Sequence, residues 1–263
     1  MFDINTKKRI VIKVGTSTLT HKTGRLNIRR MERFVKVLAD IQNSGHEVII
    51  VSSGAIGLGM SKMGLAERPK ETTMKQACAA VGQCELMYIY DKLFGEYNIN
   101  VAQILLTKYV LETSRKNVEN TFARLIERGI IPIVNENDTV AIDELELEFG
   151  ENDTLAALVG VLCGADMLII LSDIDGLFDG DPRTSPEARL IPVVTEIDDR
   201  IRSLAGGAGS GLGSGGMITK INAAKIAMDQ GFDMAILNGR RPDVLYELFD
   251  GSQPGTIFLA KSN

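Results

Sequence analysis

Histidine is almost missing from this 263-residue chain, which contains only His21 and His46. A histidine general base or a multi-histidine zinc site is therefore a poor fit, since both chemistries draw on imidazole nitrogens. Cysteine is scarce as well. Cys78, Cys84 and Cys163 are odd in number and form no C-x-x-C pair, so they read as reduced thiols, two of them on one helix, and not as a disulfide framework. No apolar run approaches the roughly 18 residues of a membrane span. The opening Met1-Phe2-Asp3-Ile4-Asn5 also lacks the apolar core of a signal peptide, so a cytoplasmic location away from any membrane is expected. Positive charge is short too: 29 Lys and Arg against 34 Asp and Glu leave a net charge of -5. That balance argues against a nucleic-acid surface, which would carry a basic stripe, and leaves small-molecule work.

What is present is ordinary for a globular protein, with 44% hydrophobic and 24% charged residues. The chain is long enough for one large α/β domain or two small ones. No linker, composition break or repeat divides it, so one domain over 1–263 is expected, with an N-terminal lobe to about 165 and a C-terminal lobe from about 166. Short β-branched or apolar runs at 9–17, 46–51, 101–106, 129–134, 166–171, 234–237 and 256–259 read as strands. Helical spacing over 27–44, 70–98, 113–128, 152–162 and 220–230 fills the intervals between them. Alternation of this kind predicts an α/β fold, a three-layer αβα sandwich with a mainly parallel central sheet. Between 139 and 149 the apolar residues alternate, which suggests a short hairpin over the sheet.

In a parallel sheet, ligands bind beyond the carboxyl ends of the strands, and polar residues gather at those places here. Lys13 breaks an apolar strand and is followed by Gly15-Thr16-Ser17. An ammonium there needs a partner, or a stem that snorkels out. Ser53-Gly54 follows the second strand, Asn135 to Asp138 the fourth, and Ser172-Asp173 the fifth. Asn152 and Asp153 open a helix, where capping alone would account for one of them.

The stretch 206–216 holds seven glycines and runs through Met217-Ile218-Thr219 to Lys220 at a helix start. Glycine amides and a helix N-terminus suit a phosphate, whereas the alternative reading is a flexible linker. The P-loop pattern fails because three residues separate Gly216 from the lysine. Gly211, Gly213 and Gly216 match G-x-G-x-x-G, but no strand precedes them. Two lysines with glycine amides suit a transferring phosphoryl group. Acids and amides beside them suit a small zwitterion, its ammonium toward Asp138 and its carboxylate toward the backbone around Ser53 and Gly54. A carboxylate acceptor is already ionised near neutral pH and needs little base catalysis.

Taken in order, Val11-Ile12-Lys13-Val14-Gly15-Thr16-Ser17, Ser52-Ser53-Gly54-Ala55-Ile56, Val134-Asn135-Glu136-Asn137-Asp138, Gly150-Glu151-Asn152-Asp153, Ser172-Asp173 with Gly176-Leu177, and the run Ser210 to Lys220 resemble the amino acid kinase family over almost the whole chain. Within that family they are similar to the branch that phosphorylates the side-chain carboxylate of L-glutamate at the start of proline synthesis. The resemblance implies that Lys13 and Lys220 stabilise the moving phosphoryl group and that Asp153 holds them in place. It implies that Ser53, Gly54, Asn135, Asp138 and Asn152 hold glutamate. Lys13, Gly15, Thr16, Ser17, Ser172, Asp173, Ser214, Gly215, Gly216, Met217, Ile218, Thr219 and Lys220 would hold ATP, with Mg2+ bridging the phosphate oxygens and no dedicated protein ligand for it. Feedback inhibition by proline and a homo-oligomer, dimer or tetramer, are further implications. Many relatives in that branch continue into a C-terminal PUA domain, and this chain is expected to be a kinase-only form. An acetylglutamate, aspartate or uridylate kinase of the same family, or a non-catalytic sensor on the same fold, are the alternatives.

Overall fold

In the computed structural model, the described residues are 3–21, 23–140, 152–182, 184–185, 187–205 and 216–261. The hairpin expected at 139–149 falls almost entirely outside them. So does the glycine loop up to Gly215, including Ser214 and Gly215.

Among the described residues, eight strands form one sheet: β1 Arg9–Val14, β2 Glu47–Ser52, β3 Val101–Leu106, β4 Ile131–Glu136, β5 Met167–Ser172, β6 Val193–Val194, β7 Asp233–Asn238 and β8 Thr256–Phe258. Their spatial order is β3-β4-β2-β1-β5-β7-β8-β6. All neighbours pair in parallel except β7 with β8, so β8 and β6 run against the rest. The mainly parallel sheet expected from the sequence is present. From β1 the chain steps outward on one side to β2, and from β5 on the other side to β7. The β1/β5 junction is therefore the switch point at which open α/β sheets leave a crevice.

Among the described residues the α-helices are α1 Thr16–Leu19, α2 Ile28–Asn43, α3 Ala55–Lys62, α4 Thr72–Gly95, α5 Lys108–Thr113, α6 Arg115–Glu127, α7 Asn152–Cys163, α8 Asp199–Ala205, α9 Met217–Asp229 and α10 Val244–Phe249. Among the described residues none is long and apolar enough to cross a membrane. Local chemistry sets the boundaries. Asn27 caps α2 by accepting from the Arg30 amide, and Gly45, at φ +107°, ends it in the left-handed conformation that costs a glycine little.

The period of two along a strand assigns the faces. Ile10, Ile12 and Val14 of β1 join a core with Phe34 and Leu38 of α2, Tyr90 and Phe94 of α4 and Leu245 of α10. Val11 joins the opposite core, with Phe122 of α6, Ala156 of α7 and Ala224 of α9. Lys13, two residues after Val11, is thus directed to the side covered by α7 and α9.

The helix pair α3 and α4 meets at two glycines. A Cβ on Gly59 would lie 1.8 Å from the Cys78 carbonyl oxygen, and one on Gly82 would lie 1.7 Å from that of Ala55. Backbone cannot yield as a side-chain tip can, so Gly82→Ala should lower the unfolding free energy by about 3 kcal/mol in urea titration. A loss below about 0.5 kcal/mol would show that the two helices separate freely.

Some boundaries differ from the sequence expectation. The segment expected to continue β1 as a Gly-Thr-Ser turn folds as α1 with Gly15 as its N-cap. β4 runs past Val134 because Asn135 and Glu136 pair with Leu105 and Leu106 of β3.

Candidate active site

The pleat that points Lys13 toward α7 and α9 places it against Asp153 in the first turn of α7. Lys13 Nζ is 2.6 Å from Asp153 Oδ1, and Lys220 Nζ, in the first turn of α9, donates to Oδ2 at 3.0 Å. Thr219 Oγ1 also donates to Oδ2 at 3.0 Å. Two cations separated by more than two hundred residues of sequence thus share one carboxylate, and all three side chains are buried. Burial pushes the Asp153 carboxyl up, but the neighbouring Lys13 and Lys220 ammoniums outweigh it and hold the group at about 2, below its ordinary 3.8.

The sign of the linkage follows. Because the folded value lies below the unfolded one, the unfolded chain takes up the proton first. The carboxylate's contribution is complete above about pH 4 and is lost as pH falls toward 2. A difference of this size corresponds to roughly 2 kcal/mol. The stability gap between wild type and Asp153→Asn, read from urea unfolding, should therefore narrow by about that amount between pH 4 and pH 2. A gap independent of pH would show that Asp153 carries no charge in the fold.

Around this triad lie a helix N-terminus and a glycine turn, features that suit an anion. Gly216 caps α9, whose first N–H groups have no acceptor within the helix. A Cβ at Gly15 would lie 3.8 Å from Lys13 Nζ, an ordinary contact distance, which places this glycine beside the ammonium. Thr16 and Ser17 lie exposed in α1 beside it. Ser172 ends β5 next to β1, buried, with its hydroxyl 3.4 Å from Oδ1 of the exposed Asp173. Met217 and Ile218 open α9, Ile218 exposed.

The second half of the site lies over β2 and β4. Gly54, at φ +112°, turns the chain from β2 into α3, a conformation strained for any residue with a Cβ. Asn152, starting α7, donates through Nδ2 to Ser53 Oγ at 2.7 Å and to Asn135 Oδ1 at 2.9 Å. Asn135 Nδ2 in turn donates to Gln83 Oε1 at 3.0 Å. Asp138 lies half-buried in the turn after β4. The structure thus brings Lys13, Lys220 and Asp153 together, and separately Ser53, Asn135 and Asn152. Gln83 was absent from the sequence reading, because a glutamine inside a long apolar helix looks like one more core-facing position. A cavity of about 890 Å³ near α2, lined by Arg29, Arg30, Arg33, Lys36, Arg240 and Arg241 among others, includes none of these residues.

The sequence profile of the amino acid kinase family matches residues 8–238, a span that contains both halves of this site. The chain belongs to the amino acid kinase family. Among its relatives, "Glutamate 5-kinase" of Clostridium perfringens is 54% identical over 258 residues, covering 97% of this chain and 96% of the relative. "Glutamate 5-kinase" of Listeria innocua is 50% identical over 262 residues, covering 98% and 95%. Among solved structures, UMP kinase from Ureaplasma parvum superposes with a TM-score of 0.64 at 15% identity, over 96% of this chain and 99% of the other. That likeness speaks to the amino acid kinase fold alone.

Proposed function

We propose that this protein transfers the γ-phosphoryl group of ATP to the side-chain carboxylate of L-glutamate, giving L-glutamyl 5-phosphate and ADP, the first step of proline biosynthesis. The observation that carries the reading is the Lys13–Asp153–Lys220 cluster at the sheet's switch point. Two buried ammoniums meet at one carboxylate, and a transferring phosphoryl group, whose charge spreads over its oxygens, is an anion that such paired cations stabilise. The two glutamate 5-kinase relatives support the choice of acceptor.

In this reading a glutamate carboxylate oxygen attacks the γ-phosphorus while the bond to the bridging oxygen of ADP breaks, with no proton to remove from the nucleophile. Lys13, Lys220 and the α9 amides of Met217 and Ile218 meet the charge that spreads over the transferring oxygens. Gly15, Thr16 and Ser17, together with Ser172, Asp173 and 216–220, line the nucleotide's path. Both Asp153 oxygens face ammoniums; Mg2+ would enter with ATP and would neutralise phosphate charge there. Ser53, Gly54, Asn135, Asp138 and Asn152 hold the amino acid. Proline competes for that same half, and the enzyme works in the cytoplasm as a homo-oligomer.

The test is incubation with Mg-ATP, L-glutamate and hydroxylamine, which traps the acyl phosphate as γ-glutamyl hydroxamate. Hydroxamate that depends on both substrates is the expected result. Turnover of N-acetylglutamate, aspartate or UMP in its place would overturn the choice of acceptor.

A further inference from the structure

The chain Gln83–Asn135–Asn152–Ser53 has a direction, and one residue sets it. A primary amide offers two hydrogens at nitrogen and an acceptor at oxygen. Gln83 presents Oε1 to Asn135, so Asn135 must turn its Nδ2 toward Gln83 and its Oδ1 toward Asn152. Asn152 then commits both hydrogens of Nδ2, one to Asn135 and one to Ser53. Its Oδ1 is the only side-chain atom it has left for a ligand, and that atom can only accept. The Ser53 hydroxyl already accepts from Asn152, so its own hydrogen is left to donate.

The outcome is an acceptor and a donor side by side, the pattern that matches the ammonium and carboxylate of an α-amino acid. Gln83 is 7% exposed, and its Nε2 is buried with no hydrogen-bond partner among the described residues. The Gln83 side chain therefore acts in the relay as an acceptor, of the hydrogen bond from Asn135. The Gly82 contact with the Ala55 carbonyl seats α4 tightly against α3, which fixes the position of Gln83 below the strand tips.

We propose that Gln83 is a positioning residue for the acceptor half: it sets the polarity of the amide relay and thereby makes the site select an α-ammonium. This rests on the glutamate reading above and deepens it. Gln83→Met keeps the length of the side chain and removes the acceptor. Asn135 and Asn152 can then reverse, and Asn152 can present N–H where the ammonium should lie.

The expected result is a rise in KM for L-glutamate of about tenfold, with KM for ATP within about twofold of wild type. The preference for L-glutamate over glutarate, which lacks the α-ammonium, should fall by a similar factor. Gln83→Glu, whose carboxyl still accepts from Asn135, should keep KM for glutamate within about threefold. That second variant decides the matter if Gln83→Met does not fold. Unchanged glutamate KM and unchanged discrimination in Gln83→Met overturn the proposal, as does a tenfold rise in a folded Gln83→Glu. Absence of glutamate phosphorylation by the wild type would instead overturn the parent reading, so the two failures are told apart.

Discussion

Replacing Lys220 with methionine is expected to lower kcat by about a thousandfold while leaving the melting temperature within a few degrees of wild type. Methionine fills the space of the lysine stem and removes only the charge. In the folded protein without nucleotide, Lys13 and Lys220 place two positive charges on the single negative charge of Asp153. Taking away Lys220 leaves the Lys13–Asp153 ion pair in place, so Asp153 is not left as an unpaired buried charge. On the proposed roles catalysis fares differently, because the charge that spreads over the moving phosphoryl oxygens would lose one of its two fixed cations. Steady-state rates with Mg-ATP and glutamate, alongside thermal melts, separate the two effects. A Lys220→Met protein with kcat within tenfold of wild type would falsify the assignment of that lysine to the transferring group.

Asp153→Asn should behave in the opposite way. It removes the carboxylate that both buried ammoniums share, and breaking a buried ion pair from one side costs about 3–5 kcal/mol. The melting temperature should fall by several degrees or more, and turnover should fall at least a hundredfold because neither lysine is then held in place. A phosphate can stand in for the missing carboxylate. A non-hydrolysable ATP analogue should therefore raise the melting temperature of Asp153→Asn by more than it raises that of wild type. Equal shifts in the two proteins would mean that the nucleotide's phosphates do not lie against Lys13 and Lys220.

Much of this was legible in the sequence because the signals were local and strong. Lys13 stands out within Arg9-Ile10-Val11-Ile12-Lys13-Val14, since an ammonium in a buried strand demands a counter-charge. β3 and the long helix α4 follow from apolar runs of the right length. The two-residue strand β6 at Val193–Val194 gave no signal, because its pairing with β8 is decided by the far end of the chain and not by its own residues. α10 spans six residues between Pro242 and Gly251, too short for helical spacing to emerge. The shared carboxylate was legible as a set of residues but not as a geometry, which depends on the pleat of β1 and on α7 packing against α9. Gln83 could have been suspected from a polar side chain set directly after Gly82 among Cys78, Ala79 and Leu86. The demand that singles it out, a hydrogen bond to Asn135 some fifty positions away, exists only in three dimensions.

The seam between α3 and α4 bears on any attempt to redesign acceptor preference. With Gly59 and Gly82 leaving no space for a single methyl group, the backbone beneath Ser53 and Gln83 cannot be widened to admit a longer diacid. Variants selected for new acceptors should therefore carry their changes in the side chains at 53, 135 and 152, while 59 and 82 stay glycine in every survivor.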